Sequence, residues 1–300
     1  MAIILITGGS GLVGQKLTHA LLARGHSVRW LSRTAGEKKG VTRFVWDIPN
    51  NTVDERAFEE VHSIIHLSGA GIADARWTPA RMKELYASRG GAARLLLKVA
   101  HTHGFRPNSF ISASGVGVYG AVTSDRIHVE SDPASDDTIG RLSADWEEAA
   151  DEWSALARVV KLRTPVVLAR EGGALPRLSA PIRFGLGAAL GSGKQWMPWI
   201  HIDDLVQAYC LAVDDERMNG AYNVVAPEQP TNAQFMRAVA NTLHKPFFLP
   251  NVPAFALRLV LGELSDVLLK GSRASNEKLL RSGLMLKYPV LSDALSSALK

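Results

Sequence analysis

The most constraining stretch lies near the start of the chain: Ile3-Ile4-Leu5-Ile6-Thr7-Gly8-Gly9-Ser10-Gly11-Leu12-Val13-Gly14. An apolar run reads as a buried strand, a glycine-rich turn breaks it, and residues 12–22 follow helical apolar spacing. Gly8, Gly11 and Gly14 stand where a dinucleotide-binding unit needs them. The first permits a tight turn, the second lets backbone approach a pyrophosphate, and the third allows close packing of helix on strand. The first helical turn, Leu12 and Val13 included, presents unpaired N–H groups and the positive end of the helix dipole to the phosphates. A lone glycine fingerprint is a weak signal; its place between strand and helix makes it a dinucleotide site.

The residues that follow extend this unit. A second strand over 26–31 leads into Ser32-Arg33. At this point of a dinucleotide fold an acid binds the ribose hydroxyls of NAD, whereas an arginine accommodates the 2′-phosphate of NADP. Arg33 has no acid beside it, and Lys38 and Lys39 add positive charge, so NADP(H) is expected over NAD(H); a merely solvated basic loop is the plain alternative. Residues 44–47 make a third strand ending at Asp47. Residues 63–67 make a fourth, closing into the small turn His66-Leu67-Ser68-Gly69-Ala70, where the chain passes close to a cofactor. His66 reads as a packed strand-end residue rather than a base. Residues 79–103 read as one long helix with Glu84 and Arg89 early in it, either facing the cofactor or forming a surface charge pair. Strands over 110–114 and 159–167 complete an alternation that implies an α/β, Rossmann-type doubly wound parallel sheet.

Three hundred residues suit such a domain with an appended lobe. The expected division is 1–167, with 199–226 returning to it, as the NADP-binding domain, and 168–198 plus 227–300 as a smaller substrate and lid lobe. In the second part, residues 172–193 read as a loop and short helix over the nicotinamide. Residues 187–199 read equally as a lid walled by Trp196, Met197 and Trp199 or as a loop whose tryptophans are core. His201 reads as an anchor and Asp203 as a helix cap, with a strand over 221–225. Thr231 is the N-cap of a helix reaching 243, and further helices cover 253–269, 276–282 and 291–299.

Composition excludes several classes. The net charge of +5 is spread without a dense basic block, so no nucleic-acid partner is expected. A single cysteine, Cys210, leaves no disulfide framework and no Cys/His metal cluster. There is no leader-like start, and the nearest approach to an apolar span, 253–269, is interrupted by Arg258, Glu263 and Asp266. The expectation is a cytoplasmic protein with a small-molecule substrate and no membrane partner; the oligomeric state is not fixed by sequence.

With these residues assembled, the chain resembles an extended-type short-chain dehydrogenase/reductase. The resemblance rests on the 7–14 glycine motif, Ser112-Ala113-Ser114 with Val118-Tyr119-Gly120, and Trp199-Ile200-His201-Ile202-Asp203-Asp204-Leu205. More closely it is similar to an atypical branch labelled as epimerase-family or cell-division-inhibitor-like proteins. The marks of that branch are Arg76-Trp77, Ser88-Arg89, Asp145-Trp146-Glu147, the 172–198 insertion and the stretch from Pro227 through Phe235. The resemblance implies that Ser32 and Arg33 hold the 2′-phosphate and that Leu67, Ser68 and the adjoining Gly69 line the cofactor. It also implies that Glu84 and Arg89 reach the cofactor, that Val167 meets the nicotinamide end through its backbone, and that Asp47 meets the adenine edge.

One part of the family pattern is missing. Ordinary members use a serine, a tyrosine and a lysine four residues after the tyrosine. Ser114 is present, but counting back from Glu147 puts Ile139 at the tyrosine site and Ser143 at the lysine site. The nearest phenol is Tyr119, and a phenol near its ordinary pKa of about 10 is a poor base at neutral pH. Two readings stay open: an NADP(H)-binding oxidoreductase or epimerase-like enzyme using another proton donor (water, Tyr119, His201 or Asp203), and a non-catalytic NADP(H)-binding regulatory or redox-sensing protein.

Overall fold

The chain crosses the centre of its sheet once, and that crossing makes the crevice. The computed structural model describes residues 1–38 and 40–299, so Lys39 of the basic loop lies outside the described residues. From β1 (Ile3–Thr7) the chain moves outward through β2 (Ser27–Ser32), the short β3 (Gly36–Lys38), β4 (Val41–Asp47) and the two-residue β5 (Thr52–Val53). It returns to the other side of β1 as β6 (Val61–His66), then moves the opposite way through β7 (Ser109–Gly115). After β8 (Ile127–His128) come β9 (Arg158–Thr164), β10 (Val166–Leu168), β11 (Trp199–His201), β12 (Gly220–Asn223) and β13 (Arg273–Ala274). The main sheet runs β12-β9-β7-β6-β1-β2-β4-β3, parallel except for β3 and β5 against β4. The strand order therefore reverses between β1 and β6, the place where doubly wound sheets bind ligands beyond their strand ends.

Side-chain alternation along β1 divides the core. Ile4 and Ile6 point to one face, where they meet Leu17 and Leu21 of α1 (Leu12–Ala23) and Leu205 and Tyr209 of the helix Ile202–Asp214. Leu5 points to the other face, against Leu96, Ala149 and Trp153. All of these side chains are fully buried or nearly so, each stabilising the fold by roughly 1.5–3 kcal/mol for the larger ones. A separate cluster of Leu168, Trp199, Phe235, Val239, Leu291 and Leu295 joins β10 and β11 to helices of the C-terminal region.

Several expected elements differ in detail. The long helix over 79–103 is α2 (Pro79–Tyr86) and α3 (Ala92–His103), joined by a π-helical turn at Ala87–Gly91. The strand expected over 159–167 divides at Pro165, which has no N–H for a ladder, into β9 and β10. Helix α4 (Thr138–Asp151) carries Ile139, Ser143, Trp146 and Glu147, and α5 (Ala174–Arg183) lies inside the glycine-rich insertion. The cap of α6 (Ile202–Asp214) is His201, whose Nδ1 accepts from the Asp203 N–H at 3.2 Å; Asp203 sits in the first turn. Thr231 caps α7 (Asn232–Thr242) in a reciprocal capping box with Gln234. Among the described residues no helix is long and apolar enough to cross a membrane.

Candidate functional site

The glycine motif forms the floor of the crevice. Gly8 has φ +67°, and a Cβ there would lie 2.9 Å from the Leu67 carbonyl carbon, so only glycine lets the β1 and β6 ends approach this closely. A Cβ on Gly14 would overlap the carbonyl of Gly8, which fixes α1 tightly beneath the turn. The Gly11 N–H closes the turn on Gly8 O at 3.0 Å. Gly11 is the N-cap, no side chain caps α1, and no acid lies in its first turn. The N–H groups of Leu12 and Val13 are thus left for an anion, and this donor set fits a dinucleotide pyrophosphate.

Behind this floor a polar chain joins the two strand ends. Thr7 Oγ1 accepts from the N–H groups of Leu67 and Ser68, both at 3.2 Å, and pairs with His66 Nδ1 at 3.0 Å. His66 Nε2 meets the carbonyl of Arg89 at 3.2 Å. A carbonyl only accepts, so Nε2 carries the proton and Nδ1 accepts from Thr7. The ring is wholly buried, which pushes its pKa down to about 4 and keeps it neutral. His66 is therefore a strut that holds the Leu67-Ser68 turn.

The two residues expected to reach the cofactor from the long helix are placed differently from each other. Glu84 points to solvent and pairs with Arg81 at 2.6 Å. Arg89 is buried in the π turn, donates to Ala70 O at 2.8 Å and Leu85 O at 3.3 Å, and lies 5.0 Å over the Trp146 ring. It braces the Gly69-Ala70 segment from behind. No carboxylate pairs with it among the described residues, its Nε has no partner, and burial lowers its pKa to about 10.

At the other end of the crevice, Ser32 Oγ turns into its own loop toward Thr34 O at 2.5 Å. Arg43 steadies that loop through Thr34 Oγ1 at 3.2 Å and Ala35 O at 3.3 Å, while Arg33 is exposed. Asp47 spends its carboxylate on Asn50, bonding N at 3.2 Å and Nδ2 at 2.8 Å. Ser68 Oγ donates to Ser88 O at 3.4 Å, and Val167 lies on β10 opposite Ile200.

The expected reaction centre holds a closed network. The Ser114 hydroxyl donates to Glu147 Oε1 at 2.6 Å, and Arg163 grips the same carboxylate through Nε at 2.7 Å and Nη2 at 2.8 Å. Lys161 lies 3.6 Å from Glu147 and 2.7 Å from Asp151. Although burial opposes its charge, Arg163 foremost, with Ser114 and Lys161, holds the Glu147 carboxyl below its ordinary pKa. Arg163 Nη1 also donates to the Tyr119 oxygen at 2.8 Å, and the Tyr119 hydroxyl meets Asn223 Oδ1 at 2.7 Å. Burial raises the Tyr119 pKa to about 12. Among the described residues no group of three or more metal-ligating side chains comes together.

Comparison with known proteins places this geometry. The model of the NAD dependent epimerase/dehydratase family matches residues 4–225, and a domain of unknown function, DUF1731, matches 252–298. The chain belongs to the NAD dependent epimerase/dehydratase family. Epimerase family protein YfhF of Bacillus subtilis is 34% identical over 296 residues, spanning 98% of this chain and 96% of that protein. Epimerase family protein SDR39U1 of Mus musculus is 33% identical over 295 residues, spanning 97% of this chain and 98% of its own. The crystal structure of human SDR39U1 with NADPH superposes with a TM-score of 0.88 at 32% identity, covering 99% of this chain and 98% of that one.

The two positions that the sequence count gave to a tyrosine and a lysine hold Ile139 and Ser143, both on α4. Ile139 packs beside Gly117, where a Cβ would lie 2.7 Å from its Cγ1. Ser143 turns back on its own helix, donating to Ile139 O at 2.9 Å. His201 is buried as a helix cap, 3.9 Å from the Tyr288 ring, with its pKa lowered chiefly by burial. Asp203 faces Lys16 at 3.8 Å and Lys287 at 3.5 Å. Trp199 is core, while Trp196 is half-buried and bonds Ser124 O at 2.9 Å beneath Arg273. Sequence reasoning used Glu147 only as a landmark and passed over Arg163. Two cations two residues apart on an interior strand, Lys161 and Arg163, were the available signal, because a buried charge is costly unless it is paired or hydrogen-bonded.

Proposed function

We propose that this chain binds NADP(H) in preference to NAD(H) and acts as an oxidoreductase or epimerase-like enzyme on a small molecule, without the usual tyrosine and lysine. The observation that carries this reading is the Ser32–Arg33–Thr34 loop at the end of β2, which is braced by Arg43 and leaves the exposed Arg33 with no acid beside it. A relative solved with NADPH supports the cofactor reading, and membership of the epimerase/dehydratase family supports the oxidoreductase or epimerase-like chemistry. The glycine floor would hold the pyrophosphate, Arg33 the 2′-phosphate, and Leu67, Ser68 and Gly69 the rest of the dinucleotide. The nicotinamide ring supplies or takes up hydride when bound.

The chain's own residues then position rather than exchange protons. Ser114 keeps its hydrogen on Glu147 and offers a ligand only lone pairs. Tyr119 is sealed, His201 is a cap, and Asp203 is engaged with lysines. Of the donors first considered, water is left, together with the substrate's own exchangeable protons.

The Ser114–Glu147 bond equally favours the second reading, a cofactor-binding regulatory or redox-sensing protein. Calorimetric titration with NADPH and NADH, followed by a carbonyl screen monitoring NADPH absorbance, separates them. Tight NADPH binding with turnover that Ser114→Ala abolishes supports the enzyme. Tight binding with no turnover across the screen moves the assignment to the regulatory reading. No binding of either nucleotide sinks both.

A further inference from the structure

Helix α8 (Ala254–Leu261) is apolar at every position but one, Ala-Phe-Ala-Leu-Arg-Leu-Val-Leu, yet it buries none of its eight residues. Among the described residues every other helix of eight or more residues buries at least one. Phe255 is 74% exposed, Leu259 77% and Val260 66%. The chain just before α8 lies alongside the end of the glycine-rich insertion. The Val252 N–H donates to Ala189 O at 2.8 Å, the Gly191 N–H donates to Val252 O at 2.9 Å, and Gly187 lies against Pro246 and Phe247. These two segments add Phe184, Leu186 and Phe248, of which the phenylalanines are 84% and 75% exposed. A phenylalanine covers about 150–250 Å², so Phe255 together with Leu259 and Val260 exposes roughly 300 Å² or more on α8 alone, the size at which an exposed apolar patch marks a contact surface.

The charges around the patch decide what covers it. Arg183 precedes Phe184, Lys245 lies three residues before Phe248, and Arg258 stands on α8 itself between Phe255 and Leu259. All three are exposed, and neither Lys245 nor Arg258 forms an ion pair among the described residues. The nearest acids in sequence lie beyond the helix: exposed Glu263, and Asp266, which Lys270 engages at 2.9 Å. A two-fold contact with a second copy is self-complementary, so it would bring this basic rim against its own like charges. An anionic lipid surface meets both properties at once, taking the aromatic and aliphatic side chains at the acyl boundary and the basic groups at the phosphates.

We propose that the α8 face docks on an anionic bilayer, with Phe255 and Leu259 inserted and Arg258 and Lys245 on lipid phosphates. This is peripheral contact; eight helical residues are far too few to span. The sequence expectation of no membrane partner rested on the missing span, and an interfacial helix needs none. The stretch 253–269, noted for its apolarity, thereby acquires a role outside the cofactor site.

The test is co-sedimentation of the full chain with vesicles of phosphatidylcholine, with and without phosphatidylglycerol. Binding is expected only on the vesicles containing phosphatidylglycerol, and should weaken as salt rises. Phe255→Asp with Leu259→Asp should abolish it. Lys245→Glu with Arg258→Glu should weaken it by roughly twentyfold or more, since each basic group near an anionic surface contributes about fivefold. Unchanged NADPH affinity in both variants would show that the fold is intact. Equal binding to both vesicle types would overturn the assignment to anionic lipid. So would no binding to either, whether light scattering finds a monomer or a dimer that the variants dissociate.

Discussion

The Ser114 hydroxyl donates to Glu147 at 2.6 Å, and Arg163 holds that carboxylate with two further bonds. Ser114, which the resemblance assigned to a substrate oxygen, is thus committed to a buried ion pair at the end of β7. Since the Glu147 and Arg163 side chains are 8% and 6% exposed, each needs the other far more than a surface pair would.

Removing one partner should therefore be costly. Glu147→Leu or Arg163→Leu alone is expected to destabilise by about 3–5 kcal/mol in urea unfolding, because it strands a buried charge. The double variant should lose at least about 2 kcal/mol less than the sum of the two. Additive losses would show that the pair is not coupled.

Much of this architecture was legible in the sequence. The glycine positions, the strand ends at Thr7 and His66 and the alternation of elements sufficed for a doubly wound sheet, because each is a local pattern of period or turn chemistry. The site was legible only in part. Arg89 could be placed on the right helix, but the π turn at Ala87–Gly91 aims its guanidinium under Ala70, and no helical periodicity reveals such a turn. The Arg163–Glu147–Ser114 network joins a strand, a helix and another strand far apart in the chain, and such a pairing is set by tertiary packing. The same holds for Tyr119: from sequence it was a loop tyrosine near Ser114, whereas Asn223, over a hundred residues away, completes its burial.

Tyr119→Phe separates a structural hydroxyl from a catalytic one. It should cost about 1–3 kcal/mol of stability, since Asn223 and Arg163 each lose a buried partner. NADPH affinity, and the pH profile of any turnover, should not change. Loss of turnover with full stability would make Tyr119 an acid/base after all.

The neutral His66 ring predicts an acid-sensitive fold. Its pKa is about 4 in the folded chain, below the ordinary 6.5, so the unfolded chain binds more protons between these values. Its contribution is complete above about pH 6.5 and is lost as pH falls toward 4. Between pH 7 and 5 it amounts to about 2 kcal/mol. His66→Gln should show a pH dependence of unfolding shallower by about that amount; an identical slope would mean that His66 is not the titrating group.

Arg33 is proposed to hold the 2′-phosphate of a dinucleotide bound in the crevice. Calorimetric titration of wild-type protein and Arg33→Ala with NADPH and with NADH tests it most directly. A charge-assisted phosphate contact is worth about 1.5–3 kcal/mol, so the variant should bind NADPH roughly ten- to a hundredfold more weakly while NADH affinity changes less than about twofold. Equal losses for the two nucleotides, or no loss for either, would contradict it.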